Sequence, residues 1–170
     1  MKWLLAMVLF AGCGKAVTGI DNDDGKPRSH IRGEAYDNLD KIARAAKKAF
    51  ADTKSFPVGT AKLLPVGNPE SGSYAGQCCG VKDASGAVVN KCQADAAAFK
   101  ADPIWSKLEF SVDAPGLYQY SYVGSEKSFT AIARGDADCD TQFANFTIVG
   151  EINASGDPVV NITMPGKGQY

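Results

Sequence analysis

Three carboxylates fall at alternate positions in Gly135-Asp136-Ala137-Asp138-Cys139-Asp140. A calcium loop supplies its first, third and fifth oxygen ligands at that spacing. The sixth position is Thr141 instead of glycine and the twelfth is Thr147 instead of a bidentate glutamate, so a complete calcium loop is not expected. Two readings remain: an acidic, polar connection between strands, or weak calcium binding through Asp136, Asp138 and Asp140. Calcium is the one cofactor the sequence brings into view. The sole histidine, His30, falls in a polar stretch beside Arg32 with no fixed nucleophile nearby. Catalysis needs reacting groups held to fractions of an ångström. Without a second histidine, a nucleophile elbow, a phosphate-binding glycine loop or a zinc motif, enzymatic activity is not expected.

The cysteines carry a different chemistry. Setting Cys13 aside leaves Cys78, Cys79, Cys92 and Cys139. An even number in an exported chain predicts disulfides, and four cysteines allow three connectivities. Adjacent Cys78 and Cys79 would form a strained ring with each other, so each is expected to take Cys92 or Cys139 as a distant partner. No Cys-x-x-Cys occurs, which weakens a metal reading.

Met1 to Cys13 reads as a basic start at Lys2, an apolar run from Trp3 to Phe10, and Phe-Ala-Gly-Cys. That is the order of parts in a secretory signal. The small-small-Cys ending resembles the lipobox of bacterial lipoproteins. The resemblance implies a signal peptide over 1–12, acylation of the Cys13 sulfur, and attachment to a membrane at that residue. The apolar run is about half the ~20 residues of a spanning helix. Gly14 after the anchor lacks the aspartate that retains such proteins at the inner membrane, which makes the outer membrane the expected address.

These chemical groups must be positioned by a fold. The chain has 170 residues, with 18 Lys+Arg against 19 Asp+Glu. It is long enough for one domain with a core, and too nearly neutral to recruit nucleic acid by charge. From Cys13 to Gly33 glycine and polar residues dominate, the pattern of a flexible linker. Fully stretched, its roughly 20 residues reach about 65 Å. The remaining residues, 34–170, are expected to form the domain.

Between Glu34 and Thr53, Tyr36, Leu39, Ile42, Ala43, Ala46, Ala49 and Phe50 recur at three- and four-residue steps. The pattern predicts an amphipathic helix, with acidic residues early and basic ones late to suit its dipole. Ser55 to Asn90 is rich in proline, glycine and serine. A compact domain tolerates such a stretch only if it is tied down, and Cys78 and Cys79 are the expected ties. A helical turn is predicted near Ala94 to Lys100, and Asp102-Pro103-Ile104-Trp105 predicts another, with Asp102 as cap and Pro103 at the first position. Strands are predicted over Leu108–Val112, Leu117–Val123, Ser128–Arg134, Phe143–Glu151 and Val159–Met164. Asp113 to Gly116 and Gly124 to Lys127 read as hairpin connections. Tyr118, Tyr120 and Tyr122 share one face of their strand, either toward the helix or as an outward aromatic surface for a glycan or protein. The expected fold class is α+β, an N-terminal helix on a disulfide-stabilised antiparallel sheet.

Taken together, this element order and the segments Trp105 to Ser111, Tyr118 to Tyr122 and Phe129 to Asp138 resemble the type IV pilin and pseudopilin group, over about Gly33 to Ile152. In that group a long helix packs on an antiparallel sheet, and its first half is an apolar membrane-spanning stalk behind a processing site. Here Gly14 to Arg32 is polar, and one central charge costs about 2.5 to 3.5 kcal/mol on insertion. The resemblance therefore implies a pilin-like head carried on a lipid anchor. Its expected role is structural or adhesive, with pilus or envelope proteins as partners and no self-polymerisation through the helix.

Overall fold

The computed structural model describes residues 29–165. Its elements are α1 (Ser29–Thr53), β1 (Gly59–Thr60), α2 (Ala96–Ala101), α3 (Pro103–Lys107), β2 (Tyr118–Gly124), β3 (Ser128–Gly135), β4 (Ala144–Ile152) and β5 (Pro158–Thr163). The five strands form one antiparallel sheet in the order β1-β2-β3-β4-β5, so β2 to β5 are a meander of nearest neighbours. The fold class is α+β, as the sequence pattern predicts. No helix of the described residues is long and apolar enough to cross a membrane. The signal-like and lipobox segment and the linker up to residue 28 lie outside the described residues.

The helical period of the sequence becomes the buried stripe of α1: Ala35, Leu39, Ile42, Ala43 and Ala46 all join the core. Tyr36 meets Phe146 of β4 edge to face, with ring centroids 5.8 Å apart. At the far end Phe50 meets Phe56, which meets Phe129 of β3, both at 5.0 Å. The Tyr36–Phe146 and Phe56–Phe129 pairs are edge contacts, which add about 0.5–1.5 kcal/mol each beyond burial.

The helix starts at Ser29, ahead of the expected Glu34, so His30 lies on its first turn and not in a linker. Glu34 therefore lies inside the helix, where β2 holds its carboxylate as described below. With that start neither an acidic residue in the first turn nor a basic one in the last remains, and the expected dipole pairing does not apply.

The inward face of the meander is aromatic. Tyr118, Tyr120 and Tyr122 are fully buried, as are Ala131, Ala133, Phe146 and Ile148 opposite them. An outward tyrosine surface is therefore overturned: strand alternation turns all three rings into the core, where desolvation raises the pKa of each phenol.

Leu108–Val112 is not a strand. Leu108, Phe110 and Val112 are buried, which accounts for the alternating pattern, but the edge of β2 they would need is already taken. Gly59 and Thr60 pair with Gly124 and Val123, Ala61 donates its N–H to the Tyr122 carbonyl, and Leu64 exchanges both main-chain bonds with Tyr120. Asp113 to Gly116 is accordingly a connection into β2 and not a hairpin, while Ser125 and Ser128 close the expected hairpin between β2 and β3.

Asp102 caps α3 as its position before Pro103 predicts, accepting the N–H groups of Ile104 at 2.9 Å and Trp105 at 3.1 Å. Its other oxygen accepts the Lys62 N–H at 3.0 Å, and the Trp105 indole donates to the Lys62 carbonyl at 2.8 Å. One cap thus ties the strand-like segment 59–64 to the helical pair. Burial alone would push the Asp102 carboxyl up, but the Lys62, Trp105 and Ile104 donors together hold it below the usual value of 3.8.

Candidate functional site

The expected disulfides form. Cys78 joins Cys92 and Cys79 joins Cys139, with Cα atoms 4.5 and 5.7 Å apart. The adjacent pair therefore sends one bond back into its own connection and the other across to the β3–β4 loop. A second tie reinforces each. Cys92 exchanges both main-chain bonds with Gly116, just ahead of β2, and the Tyr74 hydroxyl donates to the Cys139 carbonyl at 2.8 Å.

The acidic loop begins where β3 ends. Asp136 is buried, and its two oxygens accept the backbone N–H groups of Asp140 at 3.1 Å and Thr141 at 2.8 Å. Cys139 and Thr141 both take positive φ, 60° and 73°, so the turn needs those bonds. Asp140 in turn accepts the Gln142 N–H at 2.8 Å. Desolvation raises the Asp136 carboxyl above 3.8, and the negative charges of Asp140 and Asp138 add to it; the two backbone donors only partly offset this.

The three predicted carboxylates do come together. One oxygen from each of Asp136, Asp138 and Asp140 lies within 4.8 Å of the others, with Asp136 buried and the other two exposed. Chemically the loop is a preorganised turn, organised by Asp136, that also presents oxygen atoms at a separation a hard cation spans. Both oxygens of Asp136 already accept backbone bonds, so its first role is to shape the turn. Arg134 lies 3.6 Å from the Phe143 ring centroid and brackets the loop from the strand side.

Sequence reasoning missed a polar hub at the other end of the molecule. The Glu34 carboxylate accepts the N–H of Leu117 with both oxygens at 3.0 Å and that of Tyr118 at 3.2 Å. The Tyr120 hydroxyl donates to it at 3.3 Å while accepting from the Asn38 amide at 2.8 Å. Glu34, Asp37, Asn38 and Lys41 on α1 and Asp113 to Gly116 on the connection line a cleft of about 310 Å³ beside the hub. A larger groove, about 480 Å³, runs between the C-terminal turns of α1 and the Lys107 to Glu109 turn. No short-range signal marks Glu34, because its partners lie more than eighty residues away.

Comparison with protein-family models, with curated proteins and with solved structures finds no match to this chain.

Proposed function

We propose that this chain is a lipid-anchored, pilin-like head domain that serves the bacterial cell envelope as an accessory structural or adhesive protein. The observation that carries the reading is the order of parts. One long helix buries an apolar stripe on a four-strand meander, and a disulfide-tied connection lies between helix and sheet. That order is the one the pilin resemblance implies, and the polar segment ahead of the helix replaces an apolar stalk with a tether. The second support is the lipobox-like ending at Cys13, which would supply a membrane attachment where no described helix is long and apolar enough to cross. Two acyl chains give durable membrane binding, whereas one alone binds only marginally.

The proposal is tested with a tagged copy in cells, comparing sheared surface fibres, washed outer membrane and the soluble fractions. Recovery in the outer membrane or in fibres supports an envelope role, and the fibre fraction identifies a pilus partner. Recovery in the soluble fractions alone rejects it.

A second reading rests on the convergence of Asp136, Asp138 and Asp140 within 4.8 Å: an envelope lipoprotein that binds calcium or a small molecule at this loop. Calcium at millimolar concentration would then raise the melting temperature of the chain, by RT ln(1 + [L]/Kd) in stability. No shift would remove that reading.

A further inference from the structure

The two edges of the sheet are treated differently. On one side β2 is covered by β1 and by the Leu64 bridge to Tyr120. On the other β5 ends the strand order, with no neighbour among the described residues. Natural edge strands are blunted by lysine, proline, inward charge, a bulge or very short length. Of these β5 carries only a proline: it is six residues, Pro-Val-Val-Asn-Ile-Thr, paired without interruption from Thr147↔Thr163 to Ile152↔Pro158. Its one proline stands at the first position, where it interrupts nothing.

The inward side of this edge is apolar and only partly covered. Ile162 pairs with Ile148, which is fully buried, yet Ile162 itself is 46% exposed. Val160, inward by the same alternation, packs only partly against the core. The outward-reaching main-chain groups can be assigned as well. Asn153 donates its N–H to the Asp157 carbonyl at 3.0 Å, and antiparallel alternation from that bond gives Val159, Asn161 and Thr163 to β4. The N–H and C=O groups of Val160 and Ile162 then point away from the sheet.

We propose that β5 pairs antiparallel with β5 of a second copy of this chain, in a register centred on Asn161. That register sets Val160 opposite Ile162 twice, each as a hydrogen-bonded pair made from the outward-reaching groups. It also sets Val159 opposite Thr163 twice on the outer face. Every one of these pairs is β-branched, the type that packs best across strands. The strand carries no charge, so nothing repels its own image, and its residue types read alike in both directions about Asn161. A two-fold interface requires that self-complementarity. The helices do not obstruct it. α1 meets β3, β4 and to a lesser extent β5, so it is centred near β4, and at about 4.8 Å per strand the two copies of α1 stand about 14 Å apart, beyond the 8–10 Å of packed helices. Nothing in this inference depends on the anchor or on the pilin resemblance.

The test uses the full chain with Cys13→Ser, so that an introduced thiol is the only free one. Asn161→Cys and Asn145→Cys both place a thiol at an exposed position of the sheet. In the proposed register the two Asn161 Cα atoms face each other as a non-hydrogen-bonded pair at about 4.5 Å, within disulfide reach. Copper–phenanthroline oxidation should therefore link Asn161→Cys into a dimer at least tenfold faster than Asn145→Cys. Sedimentation of the chain without added cysteine should give a dimer whose dissociation constant rises at least tenfold with Ile162→Lys. Equal cross-linking rates, or a monomer at every concentration up to about 0.5 mM, which corresponds to under about 5 kcal/mol of association, would overturn the proposal. Should Ile162→Lys fail to fold, the comparison of the two cysteine positions still decides it.

Discussion

Gly116 lies so close to the carboxylate of Glu34 that any β-carbon at that position would overlap it. A side chain at position 116 would therefore displace the carboxylate that joins the helix to the start of β2. Glu34 accepts the N–H groups of Leu117, just ahead of β2, and of Tyr118, its first residue, and ties the helix to the start of that strand. Loss of the carboxylate leaves those donors and the Tyr120 hydroxyl without their acceptor, at about 1–3 kcal/mol for a buried unsatisfied group. Glu34→Ala is expected to lower urea-unfolding stability by that amount, and Gly116→Ala to destabilise by displacing Glu34. Asp37→Ala, on the exposed face one turn away, should stay within about 0.5 kcal/mol.

A second glycine is set by an aromatic ring. Gly150 pairs directly with Phe129, whose ring covers the space a side chain would occupy. Gly150→Ala is expected to cost about 1–3 kcal/mol as overpacking. Phe129→Leu in the same chain should recover part of that cost, and a double-mutant cycle by chemical denaturation reads the coupling directly.

The two disulfides close loops of unequal length, with sequence separations of 14 for Cys78–Cys92 and 60 for Cys79–Cys139. Chain-entropy reasoning gives about 3 kcal/mol for the shorter and about 4 for the longer. Replacing both cysteines of the longer bridge by serine should therefore lower the melting temperature further than the same change at the shorter one. Thermal unfolding followed by circular dichroism checks the order.

Two carboxylates make opposite contributions with pH. Asp136 has its folded pKa raised, so its protonated form is the one favoured by folding. Its contribution is full below the unfolded value of 3.8 and is lost as pH rises through the folded pKa. Asp102 has its folded pKa lowered, so its contribution is present above 3.8 and lost as pH falls through the folded pKa. The stability difference between the natural chain and Asp136→Asn should grow as pH falls from neutral toward 3.8. The difference from Asp102→Asn should shrink below 3.8. Denaturation curves collected from pH 7 to pH 3 test both signs.

What could be read from the sequence follows a physical boundary between local and distant causes. The α1 stripe, the spans of β2 to β5 and the Asp102 cap are written in spacings of two to four residues, and each sits within a few residues of its expected place. Leu108 to Val112 has the period of a strand, but its pairing edge is held by residues 59–64, which carry no strand pattern of their own. The aspartates at 136, 138 and 140 do converge, because alternate positions of a short loop cannot separate far. That Asp136 would be buried as the organiser of the turn depends on the positive φ at Cys139 and Thr141, a backbone property that composition does not encode. The partners of Cys78 and Cys79, and the hub at Glu34, depend on contacts set by the finished fold.

Attachment at Cys13 is the point on which the proposed envelope role turns, since no described helix is long and apolar enough to cross a membrane. The most direct measurement is fractionation of cells expressing the full chain beside its Cys13→Ser variant. The natural chain should sediment with washed membranes and the variant should be released into the soluble fraction. Retention of the Cys13→Ser variant in the membrane pellet, at the level of the natural chain, would contradict the lipid anchor and with it the proposed placement of this domain.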